Sequence, residues 1–263
     1  MTPSSHCPEP LPRLAGFTLI EVMLVMLIMA MLAATLAIPL AAQLQLRRAE
    51  ETRRQLDEAR DALLGFATIH GRLPCPATLA SRGLESFATG GGAANGACET
   101  FHAGYLPAAT LGMSPVDGEG FARDAWGGPG NRIRYAVFGG AAINGVANPL
   151  TRANGMQAAT LAGLGAAPHY LYVCRDGAVA APGNCGAAAN QVTRRAAFVL
   201  LSTGVNGASP PPPGADEARN LDGDAAFVSR EASSVAGREF DDIVQWGAIH
   251  LVVNRMVLAG RLP

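Results

Sequence analysis

A single carboxylate at the edge of an apolar run is the first place where this sequence could do chemistry. Between Val22 and Ala42 the only polar side chain is Thr35, and as a helix that stretch would measure about 31 Å, enough to cross a bilayer core. Glu21 stands just inside the run, where an ionised group is costly and is held by a partner. A cut after Gly16 would give Phe17 a new α-amino group close to Glu21 in sequence. The amine of one copy could then pair with the carboxylate of another, and burying the two charges together costs less than burying either alone.

At Gly16-Phe17-Thr18-Leu19-Ile20-Glu21 and the apolar helix that follows, the chain resembles the type IV pilin and pseudopilin family. The resemblance implies that a prepilin peptidase cuts between Gly16 and Phe17 and methylates the Phe17 amine. It implies that Glu21 contacts the Phe17 amine of an adjacent subunit during fibre assembly. The expected partners are that peptidase, other pilin or pseudopilin subunits and an inner-membrane assembly platform. The expected location is the inner membrane, crossed once with the head in the periplasm, and then a pilus or pseudopilus fibre. The role so implied is structural. The alternative reading is a tip subunit whose head recognises a surface, an exported substrate or DNA, and the plain one is a signal anchor with a Glu at its edge.

Two acidic stretches could hold calcium. Leu201 to Gly207 and Phe240 to Trp246 resemble the C-terminal region of major pseudopilins, which implies Asp241 and Asp242 as carboxylate ligands and Asn206 as an amide oxygen. Asn220, Asp222 and Asp224, with Glu231 at the twelfth position, follow the alternation of an EF-hand loop, although Ala225 stands where that loop needs glycine. Solvated acidic loops are the simpler reading of both.

The remaining inventory is poor in catalytic groups. All 20 basic residues are arginine, which excludes Schiff-base lysines, P-loop lysines and Ser-Lys dyads. His70, His102, His169 and His250 are scattered, with no His-Glu-x-x-His pair and no Gly-x-Ser-x-Gly elbow. A net charge of −1 gives no reason to expect nucleic acid as a partner. The expectation is therefore not an enzyme. Of the five cysteines, Cys7 precedes the cut and Cys75, Cys98, Cys174 and Cys185 follow it. An even number suits an oxidising compartment. Three pairings are open, and Cys75–Cys98 with Cys174–Cys185 is the expected one, because each closes a Gly-rich loop for a gain of about 3 kcal/mol. Zinc is the rival use, without the short Cys-x-x-Cys spacing it usually has.

These groups must be positioned by three segments. Residues 1–16 read as a leader that is removed, and 17–70 as a spine helix with its membrane-spanning half at 17–42. Beyond Gln43 the spine turns amphipathic, with Leu46, Ala49, Leu56, Ala59, Leu63 and Phe66 at helical spacing. Glu50–Arg54, Arg53–Asp57 and Arg54–Glu58 are expected as i,i+4 pairs on its solvated face. Gly71 and Leu73-Pro74 should stop it. Residues 71–263 read as a periplasmic or extracellular α+β head, an antiparallel sheet on the exposed half of the helix with long disulfide-tied loops.

Within the head, Pro74 to Met113 is rich in breakers and reads as loop. Asp124 to Pro129 resembles the Asp-x-Trp-Gly-x-Pro turn of pseudopilins, with Trp126 as apolar anchor and Asp124 as cap. Strands are expected at Ile133 to Val137, His169 to Cys174, Ala196 to Leu201 and Asp242 to Trp246, and a closing helix over Ile249 to Ala259. Pro210 to Pro213 read as an exposed polyproline excursion.

Overall fold

The computed structural model describes residues 17–128, 130–207 and 214–263, without the side chains of 33–42. The leader with Cys7 and Gly16, Pro129 of the turn, and the run Pro210 to Pro213 lie outside the described residues. Two compact units are distinguished, divided between Arg47 and Arg48.

The first helix, α1, runs over Leu19–His70. Its first turn is closed by Thr18, whose carbonyl accepts from the Glu21 and Val22 N–H groups. From Leu19 to Leu32 its apolar side chains are exposed on every side. Among the described residues no helix is long and apolar enough to cross a membrane; the side chains of 33–42, which belong to the expected span, are not among them.

In the second unit α1 is one-sided. Thr52, Leu56, Ala59, Leu63 and Ala67 are fully buried, at the three- and four-residue spacing that places them on one face. The expected i,i+4 pairs do not form. Arg54 instead pairs with Glu51 at 2.7 Å and Arg60 with Asp57 at 3.1 Å. Asp57 is turned toward the head, where its carboxylate accepts from Gln245 Nε2 at 3.3 Å, out of reach of Arg53. Gly71, at φ +69°, ends the helix with its N–H on the Ala67 carbonyl, a left-handed stop that glycine adopts without strain. Arg261 then donates from Nε to the Thr68 carbonyl at 2.9 Å and from its guanidinium to Ile69, so two carbonyls left open by the helix end find partners.

The head follows in the order β1 (Gly104–Tyr105), α2 (Ala108–Leu111), β2 (Arg134–Val137), β3 (Ala142–Ile143), β4 (Val146–Ala147), α3 (Gly155–Ala159), α4 (Leu161–Ala166), β5 (Leu171–Cys174), β6 (Gln191–Ser202), α5 (Ala215–Asn220), β7 (Ala226–Val228), β8 (Ile243–Ala248) and α6 (Ile249–Leu258). The stretch read as loop from Pro74 to Met113 thus carries a short strand and a short helix.

The main sheet has the order β1-β2-β6-β5-β7, with β8 also on β6. β6 organises it, because its Phe198 to Leu201 face β2 and its Ala196 to Ser202 face β8. All these pairings are antiparallel except β5 with β7, which is parallel. The sheet is mixed, where an antiparallel one was expected. A parallel neighbour becomes possible because the long chain path from β5 through β6 and α5 returns β7 in the same direction.

The core is apolar and contiguous, with Leu63, Leu73, Ile133, Tyr135, Tyr170 and Phe198 among its fully buried side chains. Two disulfides join Cys75 to Cys98 and Cys174 to Cys185. Charges at the margin of the core are closed in pairs. Arg72 clasps Glu85 through both guanidinium nitrogens. Asp117 Oδ1 accepts from the N–H groups of Glu119 and Phe121, and its Oδ2 from Arg123 at 3.0 Å and Arg132 at 2.8 Å.

Candidate functional site

Two places bring together the residues singled out above. At the first, Thr18 and the opening turn of α1 present Glu21, an acidic group where the helix dipole favours one. Among the described residues its carboxylate has no partner, and Phe17 is 82% exposed. Both groups are therefore open to another molecule. Gly16 lies outside the described residues.

The second place is built from three chain segments. β6 ends at Ser202, and the turn after it passes Gly204, at φ +60°. A Cβ there would come within 2.3 Å of Asp241 Oδ1, so only glycine lets the acid approach. Asp241 Oδ2 accepts from the N–H groups of Val205 at 2.9 Å and Asn206 at 3.2 Å. Glu217, in the first turn of α5, accepts from the Asp241 N–H at 2.9 Å and from the Asn206 amide at both of its oxygens. Asp242, just before β8, accepts from Asn220 at 2.7 Å.

The result is a cluster in which Glu217, Asp241 and Asp242 each offer an oxygen within 4.8 Å of the others. Its electrostatics are those of crowded like charges. Burial, and then the Glu217 carboxylate, raise the Asp241 carboxyl to about 6 against the opposing bonds from Asn206 and Val205. Burial pushes Asp242 well up, opposed by Asn220 and reinforced by Glu217 and Asp241. Asp241 Oδ1 is buried without a hydrogen-bond partner. A divalent cation would relieve all three effects, since oxygen donors are what calcium takes.

Asp241 and Asp242 thus lie together, while Asn206 turns its amide N–H groups to Glu217. Glu217 was not picked out from the sequence. The only signal was an acid three residues after Gly214, and Gly214 N indeed donates to its Oε2 at 3.4 Å, a helix-start arrangement. The residues in EF-hand spacing are tied to other groups of the chain. Asn220 ties off β7 through both directions of bonding to Val228, Asp222 and Asp224 flank Arg219, and Glu231 is exposed.

The Asp124 turn is a joint between helix and sheet. Asp124 accepts from Ser202 at 2.7 Å, Asn131 at 3.2 Å and the Trp126 N–H at 3.0 Å, while the Ala125 N–H donates to Thr52 of α1 at 3.1 Å. Burial raises Asp124 despite these bonds. Of the histidines, His102 is held low by burial, and none stands beside a nucleophile among the described residues.

No curated protein and no solved structure matches the chain. One family model does match, the prokaryotic N-terminal methylation motif, over residues 12–37. Those residues contain Gly16, Phe17 and Glu21, so the chain carries the prepilin signature of type IV pilins and pseudopilins.

Proposed function

We propose that the chain is the precursor of a structural subunit of a type IV pilus or type II secretion pseudopilus. The observation that carries this is the methylation motif over residues 12–37; the free Glu21 carboxylate and exposed Phe17 support it. On this reading the leader 1–16 is removed by prepilin peptidase and Phe17 is methylated. Residues 17–42 hold the subunit in the inner membrane, and 71–263 form the periplasmic head. Other subunits and the assembly platform are its partners.

Mass spectrometry of the N-terminal peptide from purified membranes tests this. The expected species begins at methylated Phe17, and an intact Met1 start in cells with active peptidase would overturn the reading. Assembly is tested at Glu21. Glu21→Ala leaves the neighbouring amine unpaired at a cost of about 3–5 kcal/mol, while the span becomes more apolar. The variant should accumulate in the membrane, processed, and be missing from sheared fibres.

We further propose calcium at Glu217, Asp241 and Asp242. The like-charge crowding and the unpartnered Asp241 Oδ1 support it. The ion would supply the positive charge that this cluster lacks and would tie the start of α5 to the start of β8.

A further inference from the structure

The two faces of the main sheet are sorted by one hydrogen bond. Gln245 reaches Asp57 of α1, so Gln245 and its register partner Leu200 stand on the helix side, and so does Tyr135, the partner of Leu200 in β2. Side chains alternate along a strand, which puts Arg134, Ala136, Val199 and Leu201 on the other face. There Asn220, at the end of α5, and His102, in the turn before β1, close over them and leave a narrow cavity. The space inside it that is open to the centre of a water molecule is about 10 Å³, close to what a single water needs.

The cavity holds one group that its own chain does not satisfy. Arg134 lies over the Tyr105 ring, 5.0 Å from its centroid, and its Nε is buried without an acceptor among the described residues. Buried N–H groups of this kind almost always find a partner. Asn220 is already engaged, since its Oδ1 accepts from the Val228 N–H at 2.6 Å and its Nδ2 donates to the Val228 carbonyl at 3.1 Å and to Asp242 at 2.7 Å. Burial holds the His102 ring low, against the Gly223 carbonyl and the Asp224 carboxylate, so at neutral pH the imidazole is uncharged and offers one donor and one acceptor nitrogen. An anion would meet that lone pair, and an apolar guest would leave Nε unmet. A molecule that both accepts and donates suits the two groups together.

We propose that this cavity is an internal water site, in which one ordered water accepts from Arg134 Nε and donates to the His102 imidazole. The water joins β2 to the turn before β1 and seats the end of α5 on the sheet. It belongs to the folded head and is independent of the fibre-subunit reading.

The experiment uses the full-length mature chain in detergent micelles and two variants. Oxygen-17 relaxation dispersion counts long-lived internal waters, and Arg134→Met, which keeps the stem and removes Nε, should lose one of them. Ala136→Val adds bulk to the cavity wall and should expel the same water, leaving Nε without a partner. Its Tm should therefore fall, on the order of 3 °C, in the unaltered chain and stay level in the Arg134→Met background, where no donor is left to strand. A dry void predicts the reverse, because filling it raises the Tm in both backgrounds. An unchanged water count in Ala136→Val, a higher Tm, or an equal fall in the two backgrounds would overturn the proposal. So would a Tm that depends on chloride only while Arg134 is present, which would make the occupant an anion. Where Arg134→Met does not fold, the water count and Tm of Ala136→Val decide the matter alone.

Discussion

Two acidic sites in the head handle the same problem in opposite ways. Asp117 is ringed by donors, and although loss of solvent works against its charge, the N–H groups of Phe121 and Glu119 with Arg132 and Arg123 hold its carboxyl down at about 2. Asp241 meets two backbone N–H groups, yet burial and the Glu217 carboxylate beside it bring it up to about 6. No arginine pairs with Glu217, Asp241 or Asp242 among the described residues. Of the chain's twenty arginines, two close on the acid that shapes a loop, while the acids that gather three chain segments make no arginine ion pair among the described residues. A carboxylate closed by its own chain is finished structure, whereas one left short of positive charge is suited to an ion from outside.

The sharpest way to break the contrast is Asp117→Ala. It takes from Arg123 and Arg132 the carboxylate they share, leaving Arg132, only 11% exposed, with Glu119 alone, and should cost about 3 kcal/mol in chemical denaturation. Next comes the cation itself. Calcium at a hundred times its dissociation constant should stabilise the native head by about 2.7 kcal/mol, and Asp241→Asn should abolish the response while Asp117→Ala keeps it. A calcium response retained in Asp241→Asn would place the ion elsewhere.

The smallest effect is in pH. Asp241 is raised in the folded state from an ordinary value of 3.8, so its stabilisation is fully present below about pH 4 and is lost as the pH rises through 6. Asp117 is depressed, so its stabilisation is present above about 3.8 and lost only as the pH falls through 2. Without divalent cations, acidifying from pH 7.5 to 5 should therefore raise the Tm by an amount on the order of 2 °C. Calcium should flatten that slope by holding Asp241 ionised. A Tm that falls over this window would mean the cluster is not under strain.

How much of this was legible in the sequence depends on how local the cause is. The face Leu56, Ala59, Leu63 follows from periodicity, because burial on a helix repeats with its turns. The stop at Gly71 follows from one residue's backbone. Salt bridges were misassigned because spacing alone does not reveal that Gln245, far away in sequence, holds Asp57. The parallel strand Ala226–Val228 is too short to carry a direction of its own. At the acidic site, adjacent Asp241 and Asp242 were visible, but Glu217 joins them only through the path of α5. The EF-hand spacing misled for the converse reason, since Asn220 and Asp222 had nearer uses in β7 and Arg219. By contrast, the methylation motif around Gly16 to Glu21 was legible at once, because it is a run of neighbouring residues.

Arg261 closes carbonyls at the end of α1 from 193 and 192 residues away. Synthesis runs in one direction, so the helix that is made early receives these bonds from a residue made far later. The strand β8, which completes β6, also arrives late. Folding of the head is thus dominated by long-range closure and will be slow for its size. Until β8 and Arg261 appear, the apolar stripe of Leu56 and Leu63 is without its full cover, and crowded copies can aggregate through it. Arg261 thus acts as a clasp on the end of α1, and Arg261→Ala should leave a protein that is made and processed but slow to reach its folded state.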